Sequence, residues 1–277
     1  TKLTTLNLQS NRLSQLPTEF GLLTSLTHLD LSNNRLESLP GEFGNLTELT
    51  TLLLQQNKLA TLPREIGQLT KLKVIYLHHN FLTTLPSDIC KLVDVTQLFL
   101  NQNRLKIFPI EITNLPWLKT LCLHNNELSD LPAEIGNMEN LEYLNLRHNK
   151  LVHVPVEIGE LKLLVQLHLD ENQLERLPTA IGNLVRLQKL RLDENRLQQI
   201  PAEIGQLTAL EVLYLGKNEL KQIPRQLGEL KLLRLLDVHL NFLESVPKEL
   251  GQLGTLSHLG LHNNRIKSLP TEISNLA

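Results

Sequence analysis

LTTLLLQQNKLATLPREIGQLTK, residues 49–71, contains a pattern that the rest of the chain repeats. Units of the same 23-residue length follow one another from residue 3 onward, without insertion or deletion. They begin at Leu3, Leu26, Leu49, Leu72, Val95, Leu118, Leu141, Leu164, Leu187, Leu210, Leu233 and Leu256. A fixed period of a few tens of residues is typical of repeat architectures, in which each unit is completed by its neighbours.

Seven positions of the repeat are apolar in all twelve units: positions 1, 4, 6, 11, 14, 18 and 21. The stretch LxLxx alternates with a period of two, which predicts a short strand with every second side chain turned inward. One such strand cannot bury its own apolar face. We therefore expect stacked neighbours to supply a continuous core.

Four further positions have a restricted composition. Position 9 is always Asn, whose amide can both donate and accept hydrogen bonds within buried turns. Position 15 is always Pro, which suits the first turn of a short helix. Position 17 is Glu in nine units, where the positive end of such a helix tolerates an acid. Position 19 is Gly in nine units and Cys90, Thr113 or Ser274 in the others.

The combined pattern LxxLxLxxNxLxxLPxEIGxLxx resembles the leucine-rich repeat family over essentially the whole chain. Its length and its LPxEIGxL segment resemble the intracellular branch of plant Ras-group-related, Ras-suppressor and Scribble-type proteins. The resemblance implies an α/β solenoid: a curved horseshoe with a parallel sheet on the concave face and short helices or 3-10 turns on the convex face. We expect a single domain over residues 1–277. No capping unit is visible at either end, so we expect a larger protein or end-to-end self-association.

Composition limits the partners. The 27 basic and 29 acidic residues give a net charge of −2, which offers no broad positive field for nucleic acid. Apolar runs stay well short of the roughly 18–20 residues that span a bilayer, so we expect no membrane insertion. Phosphate-binding loops, nucleophile elbows and zinc-protease motifs are absent from the sequence, and Cys122 with His124 is a weak catalytic couple. We predict a protein that is not an enzyme and needs no cofactor.

Nine of the ten histidines occupy positions 3, 5, 7 or 8 of the repeat, which we expect on or beside the concave face. His78 and His79 are adjacent in the chain, and adjacent strand residues point apart, so shared metal coordination is awkward. Three interpretations remain: an amphipathic recognition surface, a pH-sensitive interface, or a metal site. His239, His262 and Asp237 are the best metal candidates, without an evident fourth ligand.

If the apolar positions form the fold, function belongs to the exposed positions. At position 5, Leu53, Tyr76, Phe99 and Cys122 fall on consecutive strands and predict an apolar patch flanked by Val74 and Phe81. A charged zone follows, and then a second apolar zone that includes Val212, Leu240 and Phe242. The predicted protein-binding residues are Leu53, Val74, Tyr76, His78, Phe81, Phe99, Arg147, Asp170, Glu171, Arg191, Asp193, Glu194, Tyr214 and Leu235.

Each zone has an alternative explanation. Scattered aromatic residues are also ordinary variation in such repeats. The four carboxylates of the two LDEN segments (169–172 and 192–195) repel one another, which a basic partner or a calcium ion would relieve. Lys189 and Arg191 could instead neutralise them from within the chain.

The resemblance implies a cytoplasmic scaffold for signalling, with a small GTPase or a phosphatase subunit as the protein partner on the concave face. The alternative is the ligand-sensing repeat domain of a receptor or of a secreted effector. The sparse cysteines and the LPxEIG segment favour the first.

Overall fold

The computed structural model describes residues 2–276, and its internal contacts divide the chain into two compact units. Unit 1 comprises Thr1–Leu128 and unit 2 comprises Ser129–Ala277. The single domain predicted over 1–277 includes the two terminal residues, which lie outside the described part of the chain. Every repeat contributes one three-residue strand and one short 3-10 helix.

In unit 1 the strands are parallel and pair in sequence order. The strands are β1 (Thr5–Asn7), β2 (His28–Asp30), β3 (Thr51–Leu53), β4 (Val74–Tyr76), β5 (Gln97–Phe99) and β6 (Thr120–Cys122). The 3-10 helices are η1 (Thr18–Leu22), η2 (Gly41–Asn45), η3 (Arg64–Gln68), η4 (Ser87–Lys91) and η5 (Ile110–Asn114).

Unit 2 repeats the same arrangement, again with parallel neighbours in sequence order. The strands are β7 (Tyr143–Asn145), β8 (Gln166–His168), β9 (Lys189–Arg191), β10 (Val212–Tyr214), β11 (Leu235–Asp237) and β12 (His258–Gly260). The 3-10 helices are η6 (Ala133–Asn137), η7 (Val156–Glu160), η8 (Thr179–Asn183), η9 (Ala202–Gln206), η10 (Arg225–Glu229), η11 (Lys248–Gln252) and η12 (Thr271–Leu276). The predicted solenoid with a parallel sheet is confirmed in each unit.

The helical segment of each repeat is a 3-10 turn because its hydrogen bonds join residues three apart. In η3 the N–H of Ile66 donates to the carbonyl of Pro63 (3.1 Å), and the N–H of Leu69 donates to the carbonyl of Ile66 (3.1 Å). Pro63 itself is extended, with φ −67° and ψ 146°, and caps the turn from outside. The proline therefore precedes the first turn, rather than lying within it as predicted.

The position 9 asparagines join neighbouring repeats. Asn57 Nδ2 donates to the carbonyls of Leu31 (2.9 Å) and Leu54 (3.1 Å), while its Oδ1 accepts from the N–H of Leu36 (3.0 Å). Two of these three bonds reach the preceding repeat. Asn57 is 6% exposed, and the predicted role of the amide in satisfying buried backbone groups is confirmed for it.

Position 8 has a left-handed backbone in every repeat, with φ between 50° and 58°. None of these twelve residues is glycine, and none is β-branched. β-branched side chains avoid positive φ, so their absence from position 8 is the sequence signal for this conformation. Eleven are polar, and Leu240 is the apolar exception. This conformation lies three residues after the end of the strand and turns the chain toward the asparagine.

The seven apolar positions form the core of both units. In the ten repeats that begin at residues 26 to 233, every one of these side chains is buried, so the predicted ladder is confirmed there. At about 1.5–3 kcal/mol for each buried large side chain, it dominates stability. In the first and last repeats some of these positions are exposed, such as Leu3 (42%) and Leu269 (54%). Across residues 2–276, no helix has the length and apolar character needed to cross a membrane.

Candidate protein-binding surfaces

The side chains at positions 3, 5 and 7 form the free face of the sheet in each unit, because position 4 between the first two is turned into the core. Unit 1 carries the predicted residues Leu53, Val74, Tyr76, His78, Phe81 and Phe99. Unit 2 carries the predicted residues Arg147, Asp170, Glu171, Arg191, Asp193, Glu194, Tyr214 and Leu235. The predicted contact set therefore falls into two separate groups.

The apolar row of unit 1 is formed as its register predicts. Leu53 lies opposite Tyr76, Tyr76 opposite Phe99, and Phe99 opposite Cys122. The rings of Tyr76 and Phe99 stack in parallel, with centroids 4.5 Å apart and planes 3° apart. Both side chains are half-buried, so the stacked pair is held in place while part of each side chain remains exposed to solvent.

His78 extends this aromatic cluster. Its ring meets Tyr76 edge-on at 5.8 Å and Phe99 edge-on at 6.4 Å. Burial, together with the nearby His79 and His124, lowers the pKa of His78 below its ordinary value. His78 is consequently neutral near pH 7 and acts as a third aromatic ring. The ring of His79 lies 5.5 Å away and is tilted by 59° from it.

Cys122, at the end of the apolar row, is only 6% exposed. Burial raises the pKa of its thiol to about 12, so the group stays protonated at neutral pH. A protonated thiol is a poor nucleophile. The arrangement gives no support to a cysteine–histidine catalytic couple at this place.

Phe81 contacts Arg104, whereas we expected it to flank the apolar row of the strands. It lies at position 10, outside the strand, is 41% exposed, and is covered by the guanidinium of Arg104 at 4.3 Å from the ring centroid. Val74 lies on the strand between Thr51 and Gln97, beside the aromatic row. Phe81 therefore belongs to the edge of the sheet, and Val74 belongs to its free face.

Arg147 and Arg191 are the centre of the charged zone of unit 2. Arg147 Nε donates to Glu171 Oε1 (2.8 Å) and lies 3.2 Å from Asp170 Oδ2. Arg191 Nε lies 3.6 Å from Asp170 Oδ1, and Arg191 Nη2 lies 3.8 Å from Asp193 Oδ2. Arg191 also stacks on the ring of Tyr214 at 5.0 Å.

The stacked carboxylates thus have counterions in the chain itself. Lys217 Nζ completes the set by donating to Glu194 Oε1 (2.6 Å). Of the two internal counterions suggested by the sequence, Arg191 is found beside the acids, while Arg147 and Lys217 replace Lys189. The sequence could not decide this, because the reach of a long side chain is set by its rotamer.

Asp170 is 1% exposed, which corrects the expectation that it contacts a partner directly. It supports Arg147 and Arg191 from beneath. Burial raises the pKa of Asp170 and raises that of Asp193 to about 6. Burial also opposes ionisation of Glu171, but hydrogen bonds from Arg147 and His148 outweigh it and lower the pKa of that group.

The second apolar zone lies toward the end of unit 2. Val212 is paired with Leu235, and Tyr214 lies opposite Asp237. Leu240 (42% exposed) and Phe242 (39% exposed) stand at the sheet edge, with the guanidinium of Arg265 4.5 Å above the Phe242 ring. This zone is therefore apolar on the strands and aromatic at the edge.

The proposed metal ligands form a different arrangement. The rings of His239 and His262 stack at 4.8 Å, and His239 Nδ1 lies 2.8 Å from Asp237 Oδ1. The hydrogen bond to Asp237 occupies one ring nitrogen. Within residues 2–276, no group of three or more His, Cys, Asp or Glu side chains is placed to hold a metal ion.

Comparisons with known proteins place these surfaces on a familiar architecture. A model described as leucine-rich repeat region matches residues 133–246. A leucine rich repeat model matches residues 1–59 and 47–105, and another matches residues 117–138. No curated protein gives a significant match.

Solved structures are similar over nearly the whole chain. A leucine-rich repeat protein of Leptospira interrogans is 39% identical, with a TM-score of 0.83, and the alignment covers 99% of this chain and 76% of that one. The plant peptide hormone receptor RGFR1, solved in complex with RGF2, is 28% identical with a TM-score of 0.82; the alignment covers 100% of this chain and 50% of the receptor chain. An internalin of Listeria monocytogenes, 22% identical with a TM-score of 0.77 over 99% of this chain and 85% of that one, shares the fold.

Proposed function

The chain belongs to the leucine-rich repeat family, and on that premise we propose that it is a non-enzymatic scaffold that binds a folded protein partner on the free face of its sheet. The observation that carries this proposal is the stacked pair of Tyr76 and Phe99. Large, ordered aromatic side chains supply most of the energy at protein interfaces, because little side-chain entropy is lost when they bind. A polar surround, which unit 1 provides with Gln55, Gln97 and Asn101, is typical of such centres.

We place this scaffold in intracellular signalling, in the cytoplasm. The support is the 23-residue LPxEIGxL repeat and the presence of only two cysteines, both of them free thiols. On the same resemblance, a small GTPase or a phosphatase subunit is the expected class of partner.

A ligand-sensing role is the second candidate, and one observation favours it. RGFR1, to which the chain is 28% identical, was solved with a peptide hormone bound. The chain spans half of the length of that receptor chain. In this version the free face binds a secreted peptide, and a receptor or effector carries the repeat units outside the cell.

The test is affinity capture with the 277-residue chain beside the double variant Tyr76→Ala with Phe99→Ala. Extracts of the producing cells and their culture medium are applied separately, and mass spectrometry identifies what is retained. We expect the parent to retain a protein that the double variant loses, because the variant removes both stacked rings. Its melting temperature should stay nearly unchanged, since neither side chain belongs to the core. Retention of a cytosolic protein would support the scaffold role. Retention of a secreted peptide would support the sensing role.

Trp117→Ala is the matched control, because Trp117 is 57% exposed and lies outside the strands. It should retain the same protein as the parent. If the Tyr76 and Phe99 double variant captures the parent's partner unimpaired, the free face of unit 1 is not the binding surface.

A further inference from the structure

A row of basic residues lies along the edge of the sheet in unit 1, one position after the asparagine ladder. Position 10 is basic in four of the first five repeats and aromatic in the other. All five side chains are exposed. We call these residues the basic row: Arg12, Arg35, Lys58, Phe81 and Arg104.

Backbone hydrogen bonds hold the row in register. The N–H groups of Arg35, Lys58, Phe81 and Arg104 each donate to the position 11 carbonyl of the preceding repeat, at 2.8 to 2.9 Å. Parallel strands are about 4.8 Å apart, so the row from Arg12 to Arg104 covers roughly 19 Å. The backbone of the row therefore forms a fixed line from which the positively charged side chains extend.

The basic residues of the row lack counterions. Within residues 2–276, none of the four forms an ion pair, although exposed lysines elsewhere in unit 1 do, such as Lys71 with Glu48 at 2.7 Å. Glu37 is the acid nearest in sequence to the row, and no ion pair links it to Arg35. Position 10 of the sixth repeat is Glu127, which ends the row within unit 1. Position 10 of unit 2 mixes both signs: Lys150, Gln173, Arg196, Glu219, Phe242 and Arg265. The uncompensated positive line is thus a property of the first five repeats.

Phe81 gives the row an apolar element. The guanidinium of Arg104 lies over its ring, 4.3 Å from the centroid, while the Arg104 side chain stays exposed to solvent. A guanidinium held in this way is suited to a carboxylate, which it can bind through two parallel hydrogen bonds. The exposed part of the ring is available to an apolar side chain.

We propose that the basic row binds an acidic peptide segment that carries one apolar side chain. Carboxylates of the segment pair with Arg35, Lys58 and Arg104, and the apolar side chain contacts Phe81. The length of the row corresponds to roughly six residues of extended chain. A peptide fits better than nucleic acid, because the row offers only four positive charges on a chain whose net charge is −2. The proposal rests on the proposed function only in taking a protein as partner, and it uses a different surface.

The test is direct binding of a fluorescein-labelled peptide, EDEFEDE, measured by fluorescence anisotropy at low salt. The neutral peptide QNQFQNQ is the matched probe. We expect the acidic peptide to bind at least about tenfold more tightly than the neutral one. We expect the triple variant Arg35→Gln, Lys58→Gln, Arg104→Gln to weaken binding of the acidic peptide about tenfold. Phe81→Ala should weaken it several-fold.

Two control variants test whether binding requires the basic row itself or only the overall positive charge and an exposed aromatic ring. The variant Arg186→Gln, Arg225→Gln, Lys248→Gln removes the same charge from three exposed residues of unit 2 and should bind as the parent does. Phe242→Ala removes the equivalent ring of unit 2 and should also have no effect. Equal loss in both triple variants, or equal binding of the two peptides, would overturn the proposal. Tighter binding of oligo-dT than of the acidic peptide would replace it with a nucleic-acid site.

The outcomes remain distinguishable from those of the proposed function. The variant Tyr76→Ala with Phe99→Ala should bind the acidic peptide as the parent does, because the stacked pair lies on the free face. If that variant loses the captured partner while the row variants retain the peptide, only the basic row is refuted. If it captures the partner unimpaired while the row variants lose the peptide, only the free face is refuted.

Discussion

Position 9 shows how one side chain can link two repeats. Asn80 repeats the geometry of Asn57: its Nδ2 donates to the carbonyls of Leu54 (3.0 Å) and Leu77 (3.1 Å), and its Oδ1 accepts from the N–H of Leu59 (3.0 Å). No other side chain of similar size supplies two donors and an acceptor at these positions without a charge. The invariance of this residue along the chain therefore follows from the buried backbone groups of two repeats.

Asn57→Leu should lower the free energy of unfolding by about 1–3 kcal/mol. Leucine fills a similar volume but leaves the buried N–H of Leu36 without its partner. It also removes one of the two amide donors to each of Leu31 O and Leu54 O, which keep Asn34 and Asn80 respectively. Urea denaturation followed by circular dichroism measures the change. The exposed Asn45→Leu is the control and should be close to neutral. A variant of Asn57 as stable as the parent would show that water satisfies these groups.

A second effect at the scale of a residue concerns Asp193. Its Oδ1 accepts from the N–H of Gly216 (3.0 Å), and Arg191 lies nearby, yet burial outweighs both and raises its pKa to about 6. The folded protein therefore holds this proton more tightly than the unfolded chain does. The stability contributed by this group is present below the ordinary carboxyl pKa and is lost as pH rises through about 6.

Asp193→Asn should therefore stabilise the protein at about pH 8, by up to roughly 2–3 kcal/mol, and leave its stability little changed at about pH 4. Asparagine keeps an oxygen for Gly216 and removes the buried charge. Thermal unfolding at both pH values tests this, with the exposed Asp94→Asn as control. A variant destabilised at about pH 8 would mean that the ion pair with Arg191 outweighs burial.

At the scale of the element, glycine at position 19 allows the 3-10 turns of neighbouring repeats to approach. A Cβ placed on Gly67 would lie 2.4 Å from the carbonyl oxygen of Asp88 in the next turn. The reason is steric, because φ is not positive at any described glycine. The preference for glycine at position 19 is evident in the sequence. Its reason is the contact with the following repeat, which is visible only in the stacked structure.

Gly67→Ala should cost about 1–3 kcal/mol, since η3 or η4 must move to admit the methyl group. Gly254→Ala is the matched control, because a Cβ there meets no atom within 4 Å. The midpoint of urea denaturation measures both. Equal midpoints would show that the turns can slide apart without loss of core contacts.

The elements themselves were predictable for a physical reason. A constant repeat length fixes the register of every strand pair, so the neighbours Tyr76 and Phe99 could be named before the structure was known. The helical segment is too short for its sequence to distinguish a 3-10 turn from an α-helix. The burial of Asp170 and Cys122 also escaped prediction, because both occupy positions whose side chains are at least partly exposed in most other repeats.

At the scale of the molecule, each unit is a series of similar layers with different surface chemistry. Unit 1 combines an aromatic free face with a basic edge, and unit 2 combines an internally neutralised ionic zone with a second apolar zone. The layers hold the backbone of these surfaces in fixed register, while the exposed side chains differ from one repeat to the next. Self-association through the two ends, expected from the sequence, stays a prediction that sedimentation can test.

The pairing of each strand only with strands of adjacent repeats also governs the response of a unit to mechanical tension. Within each unit, every strand register joins residues 23 apart, so a pulling force loads one boundary between layers after another. Each detached layer releases 23 residues, roughly 75 Å of extended chain. A stretched unit therefore lengthens in equal increments while the layers behind the boundary keep their fold.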